Sequence, residues 1–360
     1  MAYTTIDDPS AHFTITLWTG NATDDRAITN SANSGNFQPD WIWYKERDGT
    51  SEHRSFDSSR GASKRIEPNN TNAEATDTSN QKSFDSNGFT IGTSGSTNEN
   101  GKTYVAWQWK VNGGTTASNS NGGVTSTVQA NTTAGFSIVQ WAGDGSDETV
   151  GHGLSSAPEL YVVKNRDDAT DWRVGQTVAG NIMTGANGYY MEWNDNKAST
   201  NPGSAVTWGS TPTAPTSTVF TVGSNNAHNG SGDDFVAYCF HSVKGYSKIG
   251  GYTGNGNADG TFVYTGFKPA YLMTKDTEST EQWQVKDTTR FPNNPNYFPI
   301  FPNLANVEGN NTNSTVDFLS NGFKIRNNDG SHNTNGNDYI YMAFAEKPFV
   351  SSEGTPTTAR

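Results

Sequence analysis

Two Asp-x-x-Arg pairs, Asp57 with Arg60 and Asp287 with Arg290, each follow a lysine, and each arginine falls fifteen residues after its lysine, Lys45 or Lys275. Opposite charges at such a spacing can bridge adjacent strands, pairing Lys45 with Asp57 and Lys275 with Asp287. A strand-end lysine can equally lie along the surface with its ammonium in water. Lys164 stands at the matching place in a third stretch, but no Asp-x-x-Arg follows it, which argues against one ligand chemistry shared by all three.

Other chemistry is sparse. No metalloprotease helix motif, P-loop, paired Cys-x-x-Cys or nucleophile elbow occurs. Glu192 and Asp195 are three apart, so in a strand they point to opposite faces, unlike the facing carboxylates of a glycosidase. The six histidines are scattered without metal-ligand spacing. The chain therefore reads as a non-enzyme. No cofactor is expected, although Asp144, Asp147 and Glu148 in "GDGSDE" could offer oxygens to Ca2+. Asp and Gly also recur in ordinary turns for backbone reasons. Tyr189, Tyr190, Trp193 and Trp208 sit in "GANGYYMEWNDNKASTNPGSAVTWGS", a stretch with less repeat support. They are candidates for a sugar-stacking patch, or for capping one edge of a sandwich.

The elements that would position these residues come in three copies. "PDWIWYKERD", "PELYVVKNRD" and "PAYLMTKD" each place a lysine six residues after a proline. A strand ending in an aromatic and a glycine turn precedes each: "FTITLWTGN", "FSIVQWAGD" and "KIGGYTGN". His53, Trp172 and Trp283 stand eight residues past the lysines. A second strand pair closes each copy, as in "FDSNGFTI" with "GKTYVAWQW". Copies one and three also share Pro68, Glu74, Phe84 against Pro302, Glu308, Phe318.

Residues 1–112, 134–244 and 245–348 are accordingly three repeats, with a polar Gly/Ser/Thr/Asn linker at 113–133 and a tail at 349–360. Copies two and three meet with almost no linker and should be rigidly joined. Period-two alternation between turn signals predicts an all-β chain of three tandem jelly-roll-like sandwiches. Trp41, Trp43 and Lys45 should share one face of a central strand, with Ile42 and Tyr44 on the other. Matched aromatics read as core: Trp18 with Trp141 and Tyr252, and Trp107 with Tyr238 and Phe344.

Hydrophobic content of 32% with 12% aromatics in 360 residues fits short, aromatic-filled strands. A net charge of −12 argues against nucleic acid as a partner. The single cysteine, Cys239, excludes an intramolecular disulfide and reads as core. No apolar run approaches the roughly 20 residues of a membrane helix, and "MAYTTIDDPSAHFTITLW" has no signal-peptide pattern.

Copy one, through "MAYTTIDDPS", "LWTGN", "QPDWIWYKERDG", "FDSSRG", "FDSNGFTIG" and "GKTYVAWQWK", resembles a domain of virion structural proteins of marine tailed bacteriophages. Copy three matches in outline, through "SNGFKI" and "NDYIYMAF", and copy two departs most. The resemblance implies a concanavalin A/laminin G-type sandwich in a tail fibre, tail-associated, head-fibre or capsid-decoration protein. It carries no catalytic residues. It implies assembly in the host cytoplasm, release by lysis, self-association or binding to other virion proteins, and attachment to host polysaccharide. A free lectin-like module is the alternative, and a polysaccharide-degrading enzyme a more distant one.

Overall fold

The computed structural model describes residues 2–30, 36–180, 183–184, 187–201 and 207–357. Residues 185–186 and 202–206 of the stretch bearing the candidate sugar rings lie outside these, as do 358–360 of the tail.

Every copy folds one antiparallel sheet in the same order. In copy one, β1 (Phe13–Thr19), β2 (Trp41–Glu46), β3 (Arg54–Asp57) and β4 (Thr103–Trp109) run β1-β4-β2-β3. Copy two is preceded by β5 (Ser126–Asn131). Its β6 (Phe136–Ala142), β7 (Leu160–Asn165), β8 (Arg173–Gln176) and β9 (Asp234–Phe240) run β6-β9-β7-β8. In copy three, β10 (Ser247–Thr253), β11 (Phe267–Asp276), β12 (Gln284–Asp287) and β13 (Asp338–Pro348) run β10-β13-β11-β12. A smaller sheet backs each: the strands at 26–29, 81–85 and 88–91, those at 148–151 and 219–222, and those at 262–264, 316–319 and 322–325. The chain is thus all-β with sandwich packing. No helix among the described residues is long and apolar enough to cross a membrane.

Alternation along β2 decides where the cores lie. Ile42 and Tyr44 pack with Trp18, Ile28 and Phe89 between the two sheets of copy one. Copies two and three have matching local cores around Tyr161 and Leu272. Trp41 and Trp43 point the other way, into one cluster with Phe136, Tyr238, Tyr271 and Phe344. The three larger sheets therefore share a common core, and the central strand is buried on both faces as its sequence predicts.

The glycine closing each first strand is required by close approach. A Cβ on Gly20, Gly143 or Gly254 would stand 2.0, 2.2 and 2.2 Å from the carbonyl oxygens of Glu99, Gly230 and Thr334. Those carbonyls follow one-turn helices (Gly95–Asn98, Asn226–Asn229 and Gly330–Asn333) capped by Ser94, Asn225 and Asp329 side chains.

Two expectations are corrected here. Pairing aligns Ile15 with Trp107, Ile138 with Tyr238 and Ile249 with Met342. Met342, not Phe344, is the counterpart of Trp107, and Phe344 matches Trp109 and Phe240. The 113–133 segment is also no free linker, because a strand at 117–119 and β5 extend the sheet of copy two. The join to copy three is tight, with Tyr246 buried in the shared core and a Val243–Ser247 bridge.

Candidate functional site

The repeated lysines close turns. Lys45 Nζ donates to the carbonyls of Glu46 (2.6 Å) and Gly49 (3.0 Å). Lys164 does so to Asn165 (2.7 Å) and Asp168 (3.1 Å), and Lys275 to Asp276 (2.5 Å) and Ser279 (3.2 Å). All three are buried, and burial pulls each ammonium down to about 8. Both readings of the lysine are corrected: it neither snorkels nor bridges to Asp57 or Asp287. Register is the reason, since β3 sets Asp57 opposite Trp41 and β12 sets Asp287 opposite Tyr271, four residues before each lysine.

Asp57 and Asp287 instead join one copy to the next. Arg60 Nε donates to Asp57 Oδ2 at 2.6 Å and Nη1 to Glu74 at 2.8 Å. Asp57 Oδ2 also accepts from the Tyr238 hydroxyl of copy two at 2.7 Å. Arg290 repeats this with Asp287 (2.5 Å) and Glu308 (2.7 Å), and Asp287 accepts from Trp107 Nε1 of copy one at 3.1 Å. Burial opposes both guanidinium charges, but the adjacent carboxylates outweigh it and hold each above its ordinary value. Glu74 then receives Arg166 Nε of copy two at 2.9 Å, and Glu308 receives Arg47 Nε of copy one at 2.6 Å.

The backbone repeats the pattern at all three junctions. Glu74 N–H donates to Arg166 O (2.7 Å), Ser199 to Thr277 O (2.8 Å) and Glu308 to Arg47 O (2.7 Å). Trp172 Nε1 reaches Glu67 and Asn70 carbonyls, Trp283 Nε1 reaches Glu192 O, and His53 Nε2 reaches Phe301 and Leu304 carbonyls. Copy one thus docks on two, two on three and three on one, closing a ring. At the junction of copies two and three the charges are missing together. Gln176 replaces Asp57, Ala179 replaces Arg60, Ser199 replaces Glu74 and Thr277 replaces Arg47.

The candidate sugar rings are not offered as a patch. Trp193 and Trp208 are 2% and 0% exposed, and Tyr189 and Tyr190 are half-buried. Bridges of Ser55 to Ile66 and Val285 to Ile300, and the pairing of Val174 with Met191, put Trp193 where the other copies carry Pro68 and Pro302. It packs on Trp43 and Trp283 in the shared core. Trp208 meets Tyr161 inside copy two, and Arg173 lies 4.2 Å over the Tyr190 ring. Among the described residues the large exposed rings are Phe262 (44%) and Tyr264 (55%), two apart on one strand. The alternation in "TFVYTGF" carried that signal.

The candidate calcium ligands are spent on turns. Asp144 accepts from Ser146 N and Asn229 Nδ2, and Asp147 from Ser210 N and Ser224 N. Glu148 lies against Gly123. Among the described residues no three His, Cys, Asp or Glu side chains gather to hold a metal ion.

Sequence reasoning missed one buried polar set. Lys286 occupies the place of Phe56 and Gly175 inside copy three. Its Nζ lies 2.9 Å from Gln284 Oε1, 2.8 Å from Ser314 Oγ and 3.1 Å from His332 Nε2. Lys286 and His332 are 1% exposed and Ser314 0%, so this base and hydroxyl set is shut away from any dissolved substrate. Its signal was a lysine on the inward face of "QVKD".

Burial, reinforced by Lys45, Arg173 and Lys286 respectively, holds His53, His228 and His332 well below the ordinary 6.5. Neutral His53 accepts from Trp43 Nε1 at 2.8 Å through Nδ1 while Nε2 faces copy three. Near pH 6.5 the unfolded chain binds more protons than the folded one. Stability is therefore full above that pH and falls below it, at about 1.4 kcal/mol per pH unit for each histidine. Urea unfolding should show the midpoint dropping from pH 7 to 5, with a shallower slope in His53→Gln. An unchanged slope would remove His53 from the account.

The fold and junctions define an all-β structural class whose repeats share one core. Residues 8–348 match the DUF7483 family, described as a domain of unknown function, and the chain belongs to that family. No curated protein and no solved structure matches it.

Proposed function

We propose that the chain is a non-enzymatic virion appendage protein of a tailed phage, in a tail fibre, tail-associated or head-fibre position. In this reading three laminin G-like jelly-roll sandwiches close into one rigid body that spaces or presents neighbouring virion proteins, and contacts the host surface. The observation that carries it is how the repeated charges are spent: Asp57, Arg60 and Glu74, with Asp287, Arg290 and Glu308, join copy to copy. Charge invested in closing a ring of repeats suits an architectural part. Immunogold electron microscopy of purified particles, with antibody to this chain, tests it. Label on tail, fibres or head is expected, and bare particles would end the virion reading.

A lectin-like role has one observation in its favour, the outward rings of Phe262 and Tyr264, which suit stacking on sugar faces. Tyr264→Ala should then lower binding to host polysaccharide about fivefold, given the roughly 1 kcal/mol such contacts contribute, without moving the unfolding midpoint. Unchanged binding would remove this patch.

A further inference from the structure

The first strand of the larger sheet meets a different neighbour in each copy. In copy two β6 is covered by β5, paired from Thr127 opposite Gln140 to Asn131 opposite Phe136. β5 is wedged between copies. Its buried Gln129 donates through Nε2 to Ser58 Oγ (3.0 Å) and Ser59 Oγ (2.7 Å) of copy one. Gln129 Oε1 accepts from the Asn112 and Gly114 amides, each at 3.0 Å. In copy three β10 lies directly on copy two. A Cβ on Gly251 would stand 2.4 Å from Ala179 Cβ and 3.0 Å from Val178 O, which leaves no space for a strand.

In copy one no strand among the described residues pairs with the outer edge of β1. A groove of about 1180 Å³ runs along that edge, with Phe13–Leu17 on one wall and Thr288, Thr289 and Ala345 of copy three on the other, beside Lys347 and the Lys268–Glu346 ion pair. Counted from Asp57 and Asp287, Thr288 and Thr289 stand where Ser58 and Ser59 hold Gln129. The groove is the junction that β5 fills elsewhere. The strand "FTITLWT" itself has no Lys, Pro or bulge, and Phe13–Thr16 lie buried at the base of the groove. Leu17 is 36% exposed at its far end.

We propose that this groove takes an extended segment of a partner polypeptide by strand addition to β1. The occupant is an uncharged strand of the β5 type, with β-branched and small polar residues alternating and one Gln aimed at Thr288 and Thr289. Main-chain bonds to the edge supply affinity, and the hydroxyl pair selects the amide. The proposal stands whether or not the chain belongs to a virion.

The probe is a labelled synthetic peptide, VTSTVQANTT, with the sequence of residues 124–133, added to the full chain. Saturable binding is expected, read by fluorescence anisotropy, together with at least about tenfold slower amide exchange along β1. The peptide with Ala for its Gln should bind more weakly. Thr289→Trp, which fills the groove, should abolish binding; Leu17→Lys, at the exposed end of the edge, is a second variant in case the first misfolds. No saturable binding, or protection along β6 with β1 unchanged, would overturn the proposal, the latter because the peptide would merely be exchanging with β5.

Discussion

Asp287→Ala is expected to cost about 3–5 kcal/mol of folding free energy, as breaking a buried ion pair by removing one partner does. Arg290 is almost fully enclosed, and the change leaves it Glu308 alone as a carboxylate partner. It also strips a 2.8 Å acceptor from the Arg290 amide and the 3.1 Å acceptor from Trp107 Nε1 across the junction. The cost arises from the stranded charge rather than from the net worth of the pair. Asp287→Ala combined with Arg290→Met should therefore recover most of the loss. Urea unfolding of both variants checks this. A loss below about 1 kcal/mol, the range of exposed pairs, would contradict it.

Trp41→Ala should be comparably severe, at about 3–5 kcal/mol, as for other large-to-small changes at buried aromatics. Trp41 is 1% exposed and stacks on Trp109 at 4.3 Å and on Tyr238 of copy two at 4.5 Å. Its Nε1 donates to Ser55 Oγ at 2.8 Å. The indole thus holds two copies at once, and its removal should lower one cooperative unfolding transition for the whole chain. Two separated transitions, with copies two and three unfolding at the parent midpoint, would contradict that. Ile42→Ala is the comparison, since Ile42 belongs to the local core of copy one.

The strands were legible because alternation and turn residues are local signals. The three copies were legible because lysine, aromatic and glycine anchors keep their spacing. What escaped was each anchor's partner. A lysine that donates to backbone carbonyls leaves no trace in the residue types around it. Asp57 and Asp287 find their neighbours on another copy's strand, so no distance along the chain points to Tyr238 or Trp107. Trp193 looked like insertion because its counterparts are prolines, and only the bridge register equates them. Matching aromatic to aromatic slipped the last strand by two residues, from Met342 to Phe344. β5 lay hidden in a polar stretch whose "TVQA" alternates correctly.

The central claim is that the three copies are one body around a common core. Amide hydrogen exchange in Trp41→Ala against the parent, read by mass spectrometry on peptides from every strand, tests it most directly. Faster exchange is expected in β4, β9 and β13 together, while Ile42→Ala should speed β4 most. Faster exchange confined to copy one in Trp41→Ala, with β9 and β13 at parent rates, would contradict it.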